Sequence, residues 1–183
     1  MAKFITEFGS VSENSPYHDS SFDAAHLAAT IRQLLQRIDL AFTFEIKDGF
    51  SPEGKKFWGR WGLLTHEKAG EIEKKPKYWA LPLLNKMAGN RISLEGEGDW
   101  VTGFAVKESS KVKIILVNLD EKGQNFENVP LTIKNLENGD YYYQETFLVG
   151  AGKKTSENIT DGTFKKEVSL STNNIVVIEL TKI

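Results

Sequence analysis

The spacing of apolar positions changes once along this chain, near residue 90. Upstream of that point they form short unbroken runs joined by stretches of helical period. The first run, Phe4-Ile5-Thr6-Glu7-Phe8-Gly9, ends in a carboxylate and is closed at once by a glycine. An unbroken apolar run of this length reads as a strand buried on both faces, as in parallel sheets. Residues 9–21 are polar and rich in turn formers, so they form a loop. From Phe22 to Ile38 apolar residues recur at Ala24, Leu27, Ala28, Ile31, Leu34, Leu35 and Ile38, one face of a helix. Ser20 with Asp23 three residues on resembles a capping box at its start. Leu40–Ile46 is a second buried strand, closed by Asp48-Gly49. Strand, helix and strand with short connections make a βαβ unit, which pairs the two strands in parallel.

The loop from Phe50 to Leu64 carries Phe57, Trp58, Arg60 and Trp61 among glycines, and is too apolar for a linker. Lys75-Pro76 opens a second helix, proline being tolerated at the first helical position. Its apolar stripe is Tyr78, Leu81, Leu84 and Met87, with Pro82 expected to kink it and Gly89-Asn90 to end it. Beyond Asn90 the period is that of strands. Arg91–Glu95, Trp100–Val106, Val112–Asn118, Val129–Ile133, Tyr141–Leu148, Phe164–Leu170 and Ile175–Leu180 are β-rich runs, separated by turns such as Asn138-Gly139-Asp140. Such spacing predicts an antiparallel β-sandwich. The expected organisation is an α/β portion over residues 1–90 and an all-β domain over 91–183.

Composition narrows the function. The 183 residues carry a net charge of -2 with acids and bases interspersed, which lacks the footprint of a nucleic-acid binder. No apolar run reaches the length of a membrane span, and Met1-Ala2-Lys3-Phe4 lacks the apolar core of a signal peptide. Without cysteine there is no disulfide framework, thiolate metal site or thiol nucleophile. His18, His26 and His66 show no ligand spacing, and neither a metal nor a cofactor is called for.

Four groups of residues then converge. Ile5-Thr6-Glu7-Phe8-Gly9 resembles the seventh barrel strand of retaining glycosidases of the (β/α)8 fold, where a Thr-Glu pair carries the nucleophile. Phe42-Thr43-Phe44-Glu45-Ile46-Lys47-Asp48 resembles their eighth strand, which bears an aromatic floor for the sugar and then an Asp. Trp61-Gly62-Leu63-Leu64-Thr65 and Lys75-Pro76-Lys77-Tyr78-Trp79-Ala80 resemble the run before the last helix. The combination is most similar to glycoside hydrolase family 39, the β-xylosidase and α-L-iduronidase group, whose barrels carry an accessory β-sandwich. The resemblance covers 4–89 by motif and 91–183 by architecture.

The resemblance implies a carbohydrate substrate, Glu7 as nucleophile, and Phe44, Asp48, Trp58 and Trp61 around the sugar. Phe44 stands where Trp is commoner in the family. Retaining hydrolysis needs two carboxyl groups about 5–5.5 Å apart, one to attack the anomeric carbon and one to protonate the leaving oxygen. In this group the acid follows an Asn on the fourth strand, and the resemblance begins only at the seventh. The chain is therefore expected to supply the nucleophile half of a site and to be inactive alone. Glu45 is expected to point toward the helices, and Arg60 into solvent. Its bare strands call for the missing barrel segment on another chain, or for self-association. The competing reading is a non-catalytic β-sandwich module for carbohydrate binding or interaction.

Overall fold

The first apolar run forms strand β1 (Phe4–Phe8), and the second forms strand β2 (Leu40–Thr43). They pair in parallel, Phe4 opposite Leu40, Ile5 opposite Ala41 and Phe8 opposite Thr43, with an irregularity between Ile5 and Phe8. Helix α1 (Ser21–Leu34) makes the crossover, as the strand–helix–strand order requires. The computed structural model describes residues 1–12, 14–50, 53, 59–96 and 98–183, and divides into two compact units, Met1–Pro82 and Leu83–Ile183.

Three local expectations need correction. Helix α1 stops at Leu34, not Ile38, because Gln36 takes a left-handed φ of 66° and both Arg37 and Ile38 N–H bond back to the Leu34 carbonyl. No capping box forms: the Ser20 hydroxyl donates to the Tyr17 carbonyl, and the Asp23 side chain is buried among other partners. Strand β2 ends at Thr43, short of Ile46. From Glu45 onward the backbone bonds to the following loop, Glu45 N–H to the Trp61 carbonyl and Leu63 N–H to the Glu45 carbonyl.

Helix α2 (Pro76–Asn85) begins at its proline and runs past Pro82 before ending. Its buried residues are Lys77, Ala80, Leu83 and, just beyond, Met87, while Leu81 is exposed. The buried stripe is thus turned by about one residue from that expected through Tyr78, Leu81 and Leu84. A lysine occupies an inward position that counting apolar residues assigns to its neighbour.

The second unit is β-rich. Strands β3 (Asn90–Ile92), β4 (Val101–Glu108), β5 (Lys111–Asn118), β7 (Gly139–Phe147), β8 (Lys153–Ile159) and β10 (Asn174–Lys182) form a six-stranded antiparallel sheet in the order β3-β4-β5-β10-β7-β8. Strands β6 (Glu127–Ile133) and β9 (Phe164–Leu170) form a separate antiparallel pair. Leu131, Ile133, Phe164, Val168 and Leu170 from the pair share one apolar cluster with Ala105, Ile114, Tyr143, Val176 and Ile178 of the larger sheet. Phe104, Val106, Ile115, Val117, Ile175 and Val177 are buried as well. The central strands are therefore covered on both faces, which is why β5 and β10 read as continuous apolar runs. Strand β8 is absent from the sequence pattern. Its Lys-Lys-Thr-Ser-Glu-Asn-Ile composition suits a sheet edge, where charge discourages pairing with another chain.

Candidate active site

The parallel register brings the C-terminal ends of β1 and β2 together. Phe8 lies opposite Thr43, and its carbonyl accepts the Phe44 N–H at 2.9 Å. Glu7, the residue before Phe8, is exposed, and among the described residues no hydrogen bond or ion pair holds its carboxylate. Phe44 follows β2 and is linked to Glu45 by a cis peptide. Its ring centroid lies 6.1 Å from that of Trp61, inclined by 53°. Trp61 also faces His18 at 6.0 Å and donates its indole N–H to the Val11 carbonyl at 3.3 Å. Glu7, Phe44 and Trp61 therefore belong to one end of the strand pair. Trp58 lies outside the described residues.

Asp48 is not free. Its Oδ1 accepts the Gly62 N–H at 2.8 Å and the Lys75 ammonium at 2.9 Å. Gly62 is required there, because a Cβ would come within 2.2 Å of the Asp48 nitrogen. Asp48 thus binds the aromatic loop to the segment after β2. Lys75 extends the link to Asp19 at 2.8 Å and to the Arg60 carbonyl at 2.6 Å. Arg60 is half-buried and lies 3.3 Å from Asp19, not in solvent as expected from the sequence.

A second lysine lies deeper. Lys77 of α2 is 2% exposed, and its ammonium contacts Asp23 of α1 at 3.0 Å, itself 1% exposed. The same ammonium donates to the carbonyls of Phe44 at 3.0 Å and Trp61 at 2.8 Å. The other oxygen of Asp23 accepts the hydroxyl of Ser10, just after β1, at 2.5 Å, while buried His18 stands 3.7 Å from the oxygen that faces Lys77. Two buried lysines thus connect the strand ends, the aromatic loop and both helices. Sequence reasoning missed them. The available signal was the Lys-Pro-Lys start of α2, where one of two lysines must face inward once the helix forms.

Glu45 has its carboxyl raised above the usual range, first by burial and then by the neighbouring charge of Asp48. Glu7 adds to this and Lys77 opposes it. The field of Glu7 thus reaches Glu45. His26 on α1 is held below the ordinary imidazole range, chiefly by burial. Among the described residues no cluster of three or more His, Asp or Glu is placed to hold a metal ion.

No family model matches the chain. A β-xylosidase of Caldicellulosiruptor saccharolyticus is 31% identical over 147 residues, 74% of this chain and 29% of that protein. A GH39 enzyme from Xanthomonas axonopodis pv. citri matches 100% of the chain with a TM-score of 0.75 at 16% identity, over 45% of its own length. A monomeric β-xylosidase from Caulobacter crescentus CB15 matches 100% of the chain with a TM-score of 0.74 at 17% identity, over 46% of its own length. The chain spans less than half the length of these relatives. The resemblance to the C-terminal part of a family 39 glycosidase, read from the residues, is borne out by sequence and fold alike.

Proposed function

We propose that this chain, similar along its length to family 39 glycosidases, is the C-terminal part of a retaining glycosidase acting on β-xylosides. Residues 1–90 supply the last two βα units of the barrel, and 91–183 the accessory β-sandwich. The observation that carries the reading is the exposed Glu7 at the C-terminal end of a parallel strand pair, the end at which the Phe44 and Trp61 rings meet. Catalytic groups of barrel enzymes lie at that end of the strands.

In the first step a carboxylate oxygen of Glu7 attacks the anomeric carbon, and the bond to the leaving oxygen breaks. That oxygen takes a proton from a carboxylic acid carried by a barrel strand outside these residues. Water, deprotonated by the same group, then displaces Glu7 and regenerates its carboxylate. Phe44 and Trp61 offer apolar faces to the sugar ring. Asp48 shapes the pocket by holding Gly62 and Lys75. The missing strands come from another part of the protein, from another chain or from association of copies.

The test joins this chain to the part of the Caldicellulosiruptor β-xylosidase that lies outside the matched residues. The chain alone is expected not to turn over an aryl β-xyloside. The joined protein is expected to do so, and to lose the activity in Glu7→Gln. A joined protein that folds but stays inactive overturns the reading, as does turnover by the chain alone that Glu7→Ala abolishes.

A further inference from the structure

We infer that Lys77 is a positioning residue for the candidate site, an inference that deepens the proposed function and rests on it for its catalytic consequence. The geometry is that of a clamp. One ammonium, withdrawn from water, contacts three oxygens from three different segments: the Asp23 carboxylate of α1, the Phe44 carbonyl after β2 and the Trp61 carbonyl of the loop. Two of its N–H donors are hydrogen-bonded to the carbonyls, and Asp23 is held as an ion pair. The Trp61 carbonyl accepts the Glu45 N–H as well, at 3.0 Å, so strand end and loop share one acceptor. Asp23 carries the link onward to Ser10, three residues beyond Glu7. Lys77 touches neither Glu7 nor the ring faces of Phe44 and Trp61 through its ammonium. It sets the backbone from which those rings project.

A buried lysine is an unlikely choice for stability alone, since two ions must be taken out of water to form the pair. A hydrophobic residue on this face would pack α2 without that cost. The ammonium supplies what an apolar side chain lacks, namely directed bonds that tie two carbonyls from separate segments to one atom. Lys77 thereby fixes the separation between the two rings and their height above the strand ends. A shift on the order of 1 Å in such supports loses about 10²-fold in rate.

The first test reads the chain itself. With 5-fluorotryptophan incorporated, the 19F signal of Trp61 is assigned by Trp61→Phe. Lys77→Met is expected to shift or broaden that signal and leave the signals of Trp79, exposed on α2, and Trp100 in place. Ser10→Ala and Asp23→Asn, milder breaks in the same link, are expected to move the Trp61 signal in the same direction by less. An unmoved Trp61 signal, or all signals moving together as in general loosening, overturns the inference. The second test uses the joined protein, where Lys77→Met is expected to raise KM for an aryl xyloside more than it lowers kcat. Unchanged KM and kcat in a folded Lys77→Met variant also overturn it, while the role of Glu7 is judged separately by Glu7→Gln.

Discussion

Gly103 lies so close to Ile115 across the β4–β5 ladder that a Cβ at position 103 would sit 2.2 Å from the Ile115 carbonyl oxygen. The obstacle is backbone at the centre of the six-stranded sheet, with Ile115 fully buried, so no side chain can swing aside to relieve it. Gly103→Ala is therefore expected to destabilise the second unit by about 1–3 kcal/mol, the usual range for overpacking. Urea unfolding followed by near-UV dichroism measures it. A loss within error of zero would mean that β4 moves without disturbing β5.

Removing one partner of a buried ion pair leaves the other charge without compensation. Asp23→Ala is expected to lower stability by about 3–5 kcal/mol. Replacing both partners by apolar residues, Asp23→Leu with Lys77→Met, is expected to lose much less than the sum of the single changes. A double-mutant cycle in urea provides the comparison, and additive losses would show that the two groups do not act as a pair.

The pH dependence of stability has a definite sign at Glu45. Burial first, then Asp48 and Glu7, raise its carboxyl above the ordinary 4.5, against the opposing pull of Lys77 and Lys75. Between the unfolded-state value and the raised native value, the native chain binds more protons. Its unfolding free energy therefore falls as pH rises through that window. Glu45→Gln removes this slope, so the variant is expected to gain stability relative to wild type between about pH 4 and pH 7. Unfolding curves at the two pH values decide it, and an equal difference at both contradicts the assignment.

Phe4 and Phe42 of the β1–β2 pair, and Ile46 just beyond β2, are 61%, 54% and 75% exposed. Each large side chain left uncovered forgoes about 1.5–3 kcal/mol of burial. The purified chain is accordingly expected to bind a hydrophobic dye and to scatter light as more than one copy. Phe42→Ser with Ile46→Ser is expected to reduce both signals. A strictly single-copy particle that binds no dye would mean that these side chains find other cover.

The parallel strand pair and most of the β-rich unit were legible because their signals are local. Apolar runs closed by Gly9 and by Asp48-Gly49 mark strands whatever surrounds them. Strand β8 was not legible, because its polar residues gain strand geometry from the backbone of β7, with Tyr143 opposite Thr155 and Tyr141 opposite Glu157. Asp23 reads as a helix-capping acid because that role is local. Its actual partners, Lys77 and Ser10, lie on other segments. The same reason turned the expected stripe of α2: hydropathy assigns Lys77 to the surface, and only the acceptors on Asp23, Phe44 and Trp61 explain why it points inward. Glu7 stood out from its place at a strand end, whereas the network beneath it is tertiary.

Among the described residues each strand of the β1–β2 sheet pairs only with the other, so the ribbon has two unlike edges. If no further strands are supplied, copies can join in two ways. Contact between like edges of two copies, β1 with β1 or β2 with β2, is isologous and antiparallel, and by itself it stops at a pair. Contact between the β1 edge of one copy and the β2 edge of the next keeps every strand parallel, and such head-to-tail contacts end only in a ring. An eight-stranded barrel filled two strands at a time closes after four copies. The stoichiometry of any assembly thus reports its symmetry: a dimer identifies pairing of like edges, and a tetramer a barrel shared among four chains.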